Sequence, residues 1–360
     1  MTGREGSTLR YGWTTGACAT ASTAAAYTAL LTGDFPDPVE IVLPKGHRPA
    51  FALARERLDE GSATAGVIKD AGDDPDVTHG ALVSVTVHHG PAGEGVVFRA
   101  GTGVGTITKP GLPLPVGEPA INPVPRKLIS DVVAAVAAEH GGTGDVVVEV
   151  SVDDGEELAR HTWNPRLGIL GGLSILGTTG VVVPYSCSAW IDSIRRGVDV
   201  ARAEGLQHVA GCTGSTSEKV VTGMYGLPTE ALLDMGDFAG AVLKYVRRHP
   251  VPRLTIAGGI GKISKLADGH MDLHSKRSQV NFAVLARIVR EAGGDEELAG
   301  RVEGANTALD ALQLCQAADL PLGDLIAATA RDVCLDTLRG APVEVDIVVI
   351  DRAGTIVGRA

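Results

Sequence analysis

Small and apolar residues follow one another almost without a break from Gly16 to Leu31, directly after Thr14 and Thr15. Such a run with a threonine at its head predicts an alanine-rich helix, capped by a hydroxyl and open to close approach at Gly16 and Ala17. Shorter stretches then read as strands: VEIVLP from Val39, AFALARERLD, ALVSVTVHH and GVVFRAG. The turn-forming GDFPDP, DAGDDPD and GPAGEG part them, so the front of the chain predicts an α+β domain around a mixed sheet. Residues 101–126, GTGVGTITKPGLPLPVGEPAINPVPR, are too long and too rich in proline for an idle connection. They follow neither GxxxxGK[ST] nor GxGxxG and predict no ATP site. A helix, RKLISDVVAAVAAEH, and a strand, DVVVEVSV, close the first half.

The second half changes rhythm. A strand GVVVP (Gly180 to Pro184) leads to a helix from about Ser188 to Glu204, then the strand QHVAG and the turn CTGSTSE. Another helix, the stretch EALLDMGDFAGAVLKYVRRH and the strand RLTIAGG follow. Strands alternating with helices at this spacing predict a parallel, doubly wound sheet. Ligands of such sheets bind beyond the carboxyl ends of the strands, where the glycine turns GCTGS, DMGDFAG and GGIGK fall. Three such turns point to a nucleotide-like or adenosyl ligand. The end, VEVDIVVIDRAGTIVGRA, reads as a β-hairpin around Asp351 to Gly354 whose parent sheet stays open. The expected organisation is 1–173 as the α+β domain, 174–340 as the parallel α/β domain and 341–360 as the hairpin.

Composition narrows the function. A length of 360 residues suits about two domains, and with aromatics at 4% the cores must rest on Val, Ile, Leu and Ala. The net charge of −11 argues against nucleic acid as a partner, because phosphate binding needs a basic footprint. No export signal or membrane-spanning run is visible, so a cytoplasmic protein is expected. Five scattered cysteines without a CxxC pair read as free thiols rather than a disulfide frame or zinc site.

The stretch DAGDDPDVTHG, Asp70 to Gly80, gathers four aspartates beside His79. A calcium loop would want a closing glutamate, which is absent, and one histidine makes no zinc site. The expectation is a turn whose carboxylates cap backbone N–H groups, with no metal held by the protein.

Taken together, LRYGWTTGACATAS, DAGDDPDVTHG, GVGTITKPGLPLPVGEPAINPVPR, TWNPRLGILGGLSILGTTGVV and GGIGKISKLADGHMDLHS resemble the cobalt-precorrin-5B (C1)-methyltransferases of cobalamin biosynthesis, the CbiD family. The blocks run in the family's order from Leu9 to about Ser278. The resemblance implies methyl transfer from S-adenosylmethionine to C1 of a cobalt-bearing tetrapyrrole, giving cobalt-precorrin-6A, with cobalt present only as part of the substrate. It also implies an α+β front domain that binds the tetrapyrrole and a Rossmann-like rear domain that binds the donor. Two stretches depart from the family pattern: Leu273 precedes His274 where a threonine is typical, and the turn at Gly211 reads GCTGSTSEK.

On this resemblance the donor falls to Gly211, Thr213, Gly214, Ser215, Glu218, Gly236, Asp237, Gly258 and Gly261, with Glu218 or Asp237 as acceptors for ribose hydroxyls. Asp237 has a second reading, as a helix cap. The polyanionic substrate calls for Arg10, Thr14, Thr15, Lys109, Arg126, Lys262, Lys265, His270 and His274, with Arg126 foremost and the helix start at Thr15-Gly16 as a second anion seat. His79, Asp73 and Asp74 are expected to face the macrocycle, His79 as a base for proton adjustment. His270 and His274, four apart, would share a face if helical. The alternatives are a nucleotide-dependent oxidoreductase and a corrinoid-binding carrier without catalysis, and a homo-oligomer is left open.

Overall fold

The computed structural model describes residues 9–360 and divides after Ser186 into two units. In chain order the first holds β1 (Gly12–Trp13), α1 (Thr15–Thr32), β2 (Val39–Glu40), β3 (Ala50–Phe51), β4 (Arg55–Asp59), β5 (Ser62–Ile68), β6 (Leu82–His89) and β7 (Val96–Ala100). Then come β8 (Gly103–Val104), β9 (Thr106–Ile107), α2 (Pro123–His140), β10 (Val146–Val152), α3 (Gly155–Ala159), β11 (Ile169–Leu170), β12 (Gly172–Leu173) and β13 (Val181–Val182). Its main sheet has the order β4-β5-β6-β10-β7, antiparallel except for the parallel β10–β7 pair.

Helix α1 is buried on nearly every side, as a helix without a polar face must be. Its alanines let it lie close against β5, β6 and α2. Buried hydroxyls are each met by a carbonyl: Thr20 and Thr23 donate to those of Gly16 and Ala19 one turn earlier, and Ser22 donates across to the Val83 carbonyl at 3.0 Å. Strand β5, SATAGVI, has no counterpart in the sequence reading. Its small residues are weak strand formers, yet Ala63 and Ala65 are what the closely packed α1 requires. VEIVLP forms only the two residues of β2, paired with β3.

Two expectations are corrected here. GVVVP does not open the parallel sheet, because Val181–Val182 pairs antiparallel with Gly12–Trp13 inside the first unit. The anion seat expected at Thr15-Gly16 is filled by the chain itself. Gly16 N–H donates to the Leu176 carbonyl at 2.8 Å, Leu176 N–H donates to Thr15 Oγ1 at 2.9 Å, and Thr14 Oγ1 caps Ala17 N–H.

The second unit holds α4 (Cys187–Ala203), β14 (His208–Cys212), α5 (Ser215–Tyr225), β15 (Leu232–Asp234), α6 (Ala239–Arg248), β16 (Arg253–Gly259) and α7 (Ile260–Ala267). After these come α8 (Phe282–Glu291), α9 (Glu296–Glu303), α10 (Ala308–Gln316), α11 (Leu322–Leu338), β17 (Glu344–Ile350) and β18 (Ile356–Arg359). The sheet order is β15-β14-β16-β17-β18, with the first four strands parallel and β18 antiparallel to β17. The terminal hairpin therefore belongs to this sheet. Alternate strand residues face two cores. Val209, Leu254, Ile256, Ile347 and Val349 join the large cluster under α4, α6 and α7–α11, while Ala210, Cys212, Ala257, Val348 and Ile350 meet α5. The stretch from Glu230 is divided, β15 first and α6 only from Ala239. Cys18, Cys315 and Cys334 are buried free thiols, and burial pushes Cys18 and Cys334 up to about 12.

Among the described residues no helix is long and apolar enough to cross a membrane. No group of three or more His, Cys, Asp or Glu side chains among them is placed to hold a metal ion.

Candidate functional site

At the carboxyl edge of the second sheet, β14 and β16 lie side by side while their following chains depart to opposite faces, α5 to one core and α7 to the other. A cavity of about 740 Å³ opens there, a size within the roughly 300–1,000 Å³ of small-ligand sites. Three helices begin on it: α5 from Gly214, α7 from Gly259 and α10 from Thr307. Gly214 and Gly259 supply no side-chain cap, so the first-turn N–H groups of α5 and α7 have no acceptor within their own helices. Aligned peptide dipoles add positive potential at each of these ends. Apolar wall comes from Ile260, Val280, Phe282, Leu309 and Ile350.

Of the residues expected around the donor, Thr213, Gly214, Ser215 and Gly261 line this cavity, as do Lys262 and Lys265 from the expected substrate set. Space stands open where a Cβ would fall on Gly214, Gly259 or Gly261. The other glycines answer to packing. A Cβ on Gly211 would meet Ile256 and Met235, one on Gly258 would meet Thr213, and Gly236 (φ +52°) lies against Trp190. Glu218, in the first turn of α5, and Asp237 are not among the lining residues. Asp237 instead accepts from Lys262 Nζ at 3.2 Å, and the same ammonium donates to the Thr213 carbonyl at 3.1 Å. Lys262 thus ties together the turns that follow β14, β15 and β16. The carboxylate that does line the cavity is Asp351, which accepts from the Ala353 and Thr355 N–H groups of its own turn. The sequence reading missed Asp351, Gln279, Asn306 and Thr307, and no spacing near the glycine turns announces them.

In the first unit three of the motif blocks meet. Arg10 pairs with Asp70 through both terminal guanidinium nitrogens, and its backbone N–H donates to Asp73 at 2.7 Å. Trp13 N–H donates to the Asp70 carbonyl at 2.7 Å, and Tyr185 N–H donates to Asp74 at 2.8 Å. The Arg10 hydrogen bond, with help from Gly72 N–H, holds the Asp70 carboxyl below its usual range. Lys69, with only 1% of its side chain exposed, donates to Asp76 at 2.7 Å, and Thr78 N–H and Oγ1 both donate to the same carboxylate. Burial alone would raise Asp76, but the Lys69 charge and these bonds outweigh it and leave the carboxyl lowered. His79 Nδ1 accepts from Ala71 N–H at 3.1 Å, so the neutral ring carries its proton on Nε2.

Within the first unit, Arg126 and Lys109 make contacts apart from these. Arg126 is engaged inside the proline-rich loop, donating to Glu118 and to the Ile121 and Pro119 carbonyls and covering the Phe98 ring. The Lys109 stem lies over Gly168. No helix covers His270 and His274, because α7 ends at Ala267 and α8 begins at Phe282, so the shared helical face does not exist. His270 lies 3.5 Å from Asp268, and His274 Nδ1 accepts from Lys276 N–H.

Comparison with known proteins adds the following. A family model described as CbiD matches residues 2–184, and one described as CbiD, C-terminal domain, matches residues 272–360. The chain is 61% identical over 352 residues to a cobalt-precorrin-5B C(1)-methyltransferase of Paramagnetospirillum magneticum, covering 98% of each. It is 59% identical over 356 residues to the protein of that name from Brucella anthropi, covering 99% of this chain and 97% of the relative. A crystal structure described as a cobalamin biosynthesis protein (cbiD) from Archaeoglobus fulgidus is 27% identical, covers 75% of this chain and 83% of its own, and gives a TM-score of 0.41.

Proposed function

The chain belongs to the CbiD family, and from that premise we propose how its residues serve the family's reaction. It is an S-adenosylmethionine-dependent C-methyltransferase that methylates cobalt-precorrin-5B at C1 in cobalamin biosynthesis, with cobalt carried by the substrate. The near full-length identity to relatives of that name carries this conclusion. Neither an oxidoreductase nor a carrier without catalysis is favoured beside it.

Our reading of the second unit is a Rossmann-like donor domain. Numbered from β14, its strands run 2-1-3-4-5, an order whose ligands bind where the first and third strands part. The 740 Å³ cavity is at that point, and its glycine floor, apolar wall and outward N–H groups suit an adenosyl ligand with a charged tail. No nucleophile is asked of the protein. The macrocycle carbon takes the methyl group as the thioether leaves, so acceleration comes from holding the partners near contact and excluding water.

The first unit is our choice for the tetrapyrrole. Tyr11 and Tyr185 are 60% and 67% exposed, with exposed Leu9 and Val183 beside them along the extended β1–β13 pairing. Tyr185 holds a left-handed backbone (φ +57°), a strained state for an aromatic residue that its N–H bond to Asp74 helps to maintain. An exposed aromatic and aliphatic patch of this kind suits a flat conjugated macrocycle. Asp73, Asp74 and His79 border it as residues for orienting the pigment or adjusting its protons.

Incubation with methyl-labelled S-adenosylmethionine and cobalt-precorrin-5B is expected to place one labelled methyl group on the pigment, read by mass spectrometry. Gly261→Phe tests the donor cavity. Its Cβ enters open space and a helix tolerates the change, so folding is retained while the ring fills the cavity. S-adenosylhomocysteine affinity is expected to fall by roughly 100-fold, the equivalent of about 2.7 kcal/mol. Unchanged affinity in calorimetry would remove the cavity from the donor site.

A further inference from the structure

Among the described residues, Lys265 is the only lysine or arginine lining the cavity that is also buried, at 8% exposed. Its ammonium has three N–H donors. Among the described residues it makes one hydrogen bond, to the Leu273 carbonyl at 2.9 Å, and no carboxylate lies within ion-pairing distance. This differs from Lys262 one turn earlier, which is neutralised by Asp237. A buried cation with two donors to spare is costly unless a counter-charge completes it. The first-turn N–H groups of α5 and α7 bring further positive potential to the same cavity, and Asp351, the carboxylate lining it, is turned to its own loop. An anionic group of a ligand in the cavity would complete this ammonium.

We infer that Lys265 is the receptor for the α-carboxylate of the methyl donor's amino-acid tail, so that the cavity selects donors and products that keep this carboxylate. The inference rests on the donor-cavity reading above. Lys265 also accounts for a neighbouring feature: its bond to the Leu273 carbonyl fixes the start of the 273–279 segment, whose Gln279 and Val280 line the cavity.

Calorimetry of the full chain with three ligands tests this: S-adenosylhomocysteine, its α-carboxamide, and 5′-methylthioadenosine, which lacks the tail. The parent is expected to bind S-adenosylhomocysteine roughly ten- to a hundredfold more tightly than the carboxamide, the range of a hydrogen bond between charged groups. Lys265→Met should abolish that preference and leave 5′-methylthioadenosine binding within about twofold, while Lys265→Arg retains most of it. Equal affinity of the parent for acid and amide overturns the inference without reference to any variant. So does an equal loss of all three ligands in a folded Lys265→Met protein, which would mark a structural lysine. If Gly261→Phe leaves all three affinities unchanged, the cavity reading itself fails and this inference falls with it.

Discussion

Asp76→Ala is expected to lower the stability of the first unit by about 3–5 kcal/mol, because it strands a buried ammonium. Lys69 is almost wholly enclosed and Asp76 is its carboxylate partner, at 2.7 Å. Asp76 also accepts from Thr78 N–H and Oγ1, so the substitution frees three donors at once. In a unit of this size the midpoint of thermal unfolding should fall by roughly 6–20 °C. Lys69→Met alone should cost less, since Asp76 reaches solvent and keeps its Thr78 bonds. The double variant should recover part of the loss, and additive losses in the cycle would show that the two groups do not interact. The sign with pH follows from the lowered Asp76 carboxyl. Its contribution is complete above the unfolded carboxyl value of about 3.9 and is lost as pH falls through the lower folded value. Parent stability should therefore drop more steeply in acid than that of Asp76→Ala.

Gly72→Ala is the second large effect. Gly72 has φ +68°, and a Cβ built on it would fall 2.2 Å from the Arg10 carbonyl oxygen. From the other side, a Cβ on Gly12 would fall 2.0 Å from the Ala71 carbonyl carbon. Two backbones cross here in direct contact, and neither can yield without moving the bonds that Arg10 makes to Asp70 and Asp73. Left-handed strain and overpacking together suggest a loss of about 2–5 kcal/mol. Gly80→Ala is the control: φ is +80° but nothing lies within 4 Å, so only the strain of about 1–2 kcal/mol applies. Denaturant titration should separate the two, and methyl transfer should fall further in Gly72→Ala than in Gly80→Ala. Equal losses would mean that the crossing is not as tight as its geometry states.

Both sites belong to motif blocks that the sequence announces, yet their reasons are tertiary. The aspartates of DAGDDPDVTHG read as a capping turn, and they do cap N–H groups at Gly72, Thr78 and Tyr185. Lys69, directly before the block, drew no attention, because burial of a lysine leaves no mark on its neighbours in sequence. Strand β5 escaped for a related reason: its small residues answer to the alanines of α1, not to any local preference.

What the chain determined by itself is local or collective. Continuous small residues make α1 and alternating apolar residues make β6 and β10, while the acidic turn and the terminal hairpin follow from turn chemistry. The ordered blocks, read together, determined the family and its reaction. Strand order was decided only in three dimensions, and with it the placing of β14 beside β16 and the opening of the cavity where they part. Chain segments as distant as Thr213, Lys265, Thr307 and Asp351 meet there. Periodicity records which face of an element is apolar, but packing and charge balance in the folded chain select its neighbours. That is why the glycine turns and Lys265 itself were legible, while the burial of Lys265 and its two spare donors were not.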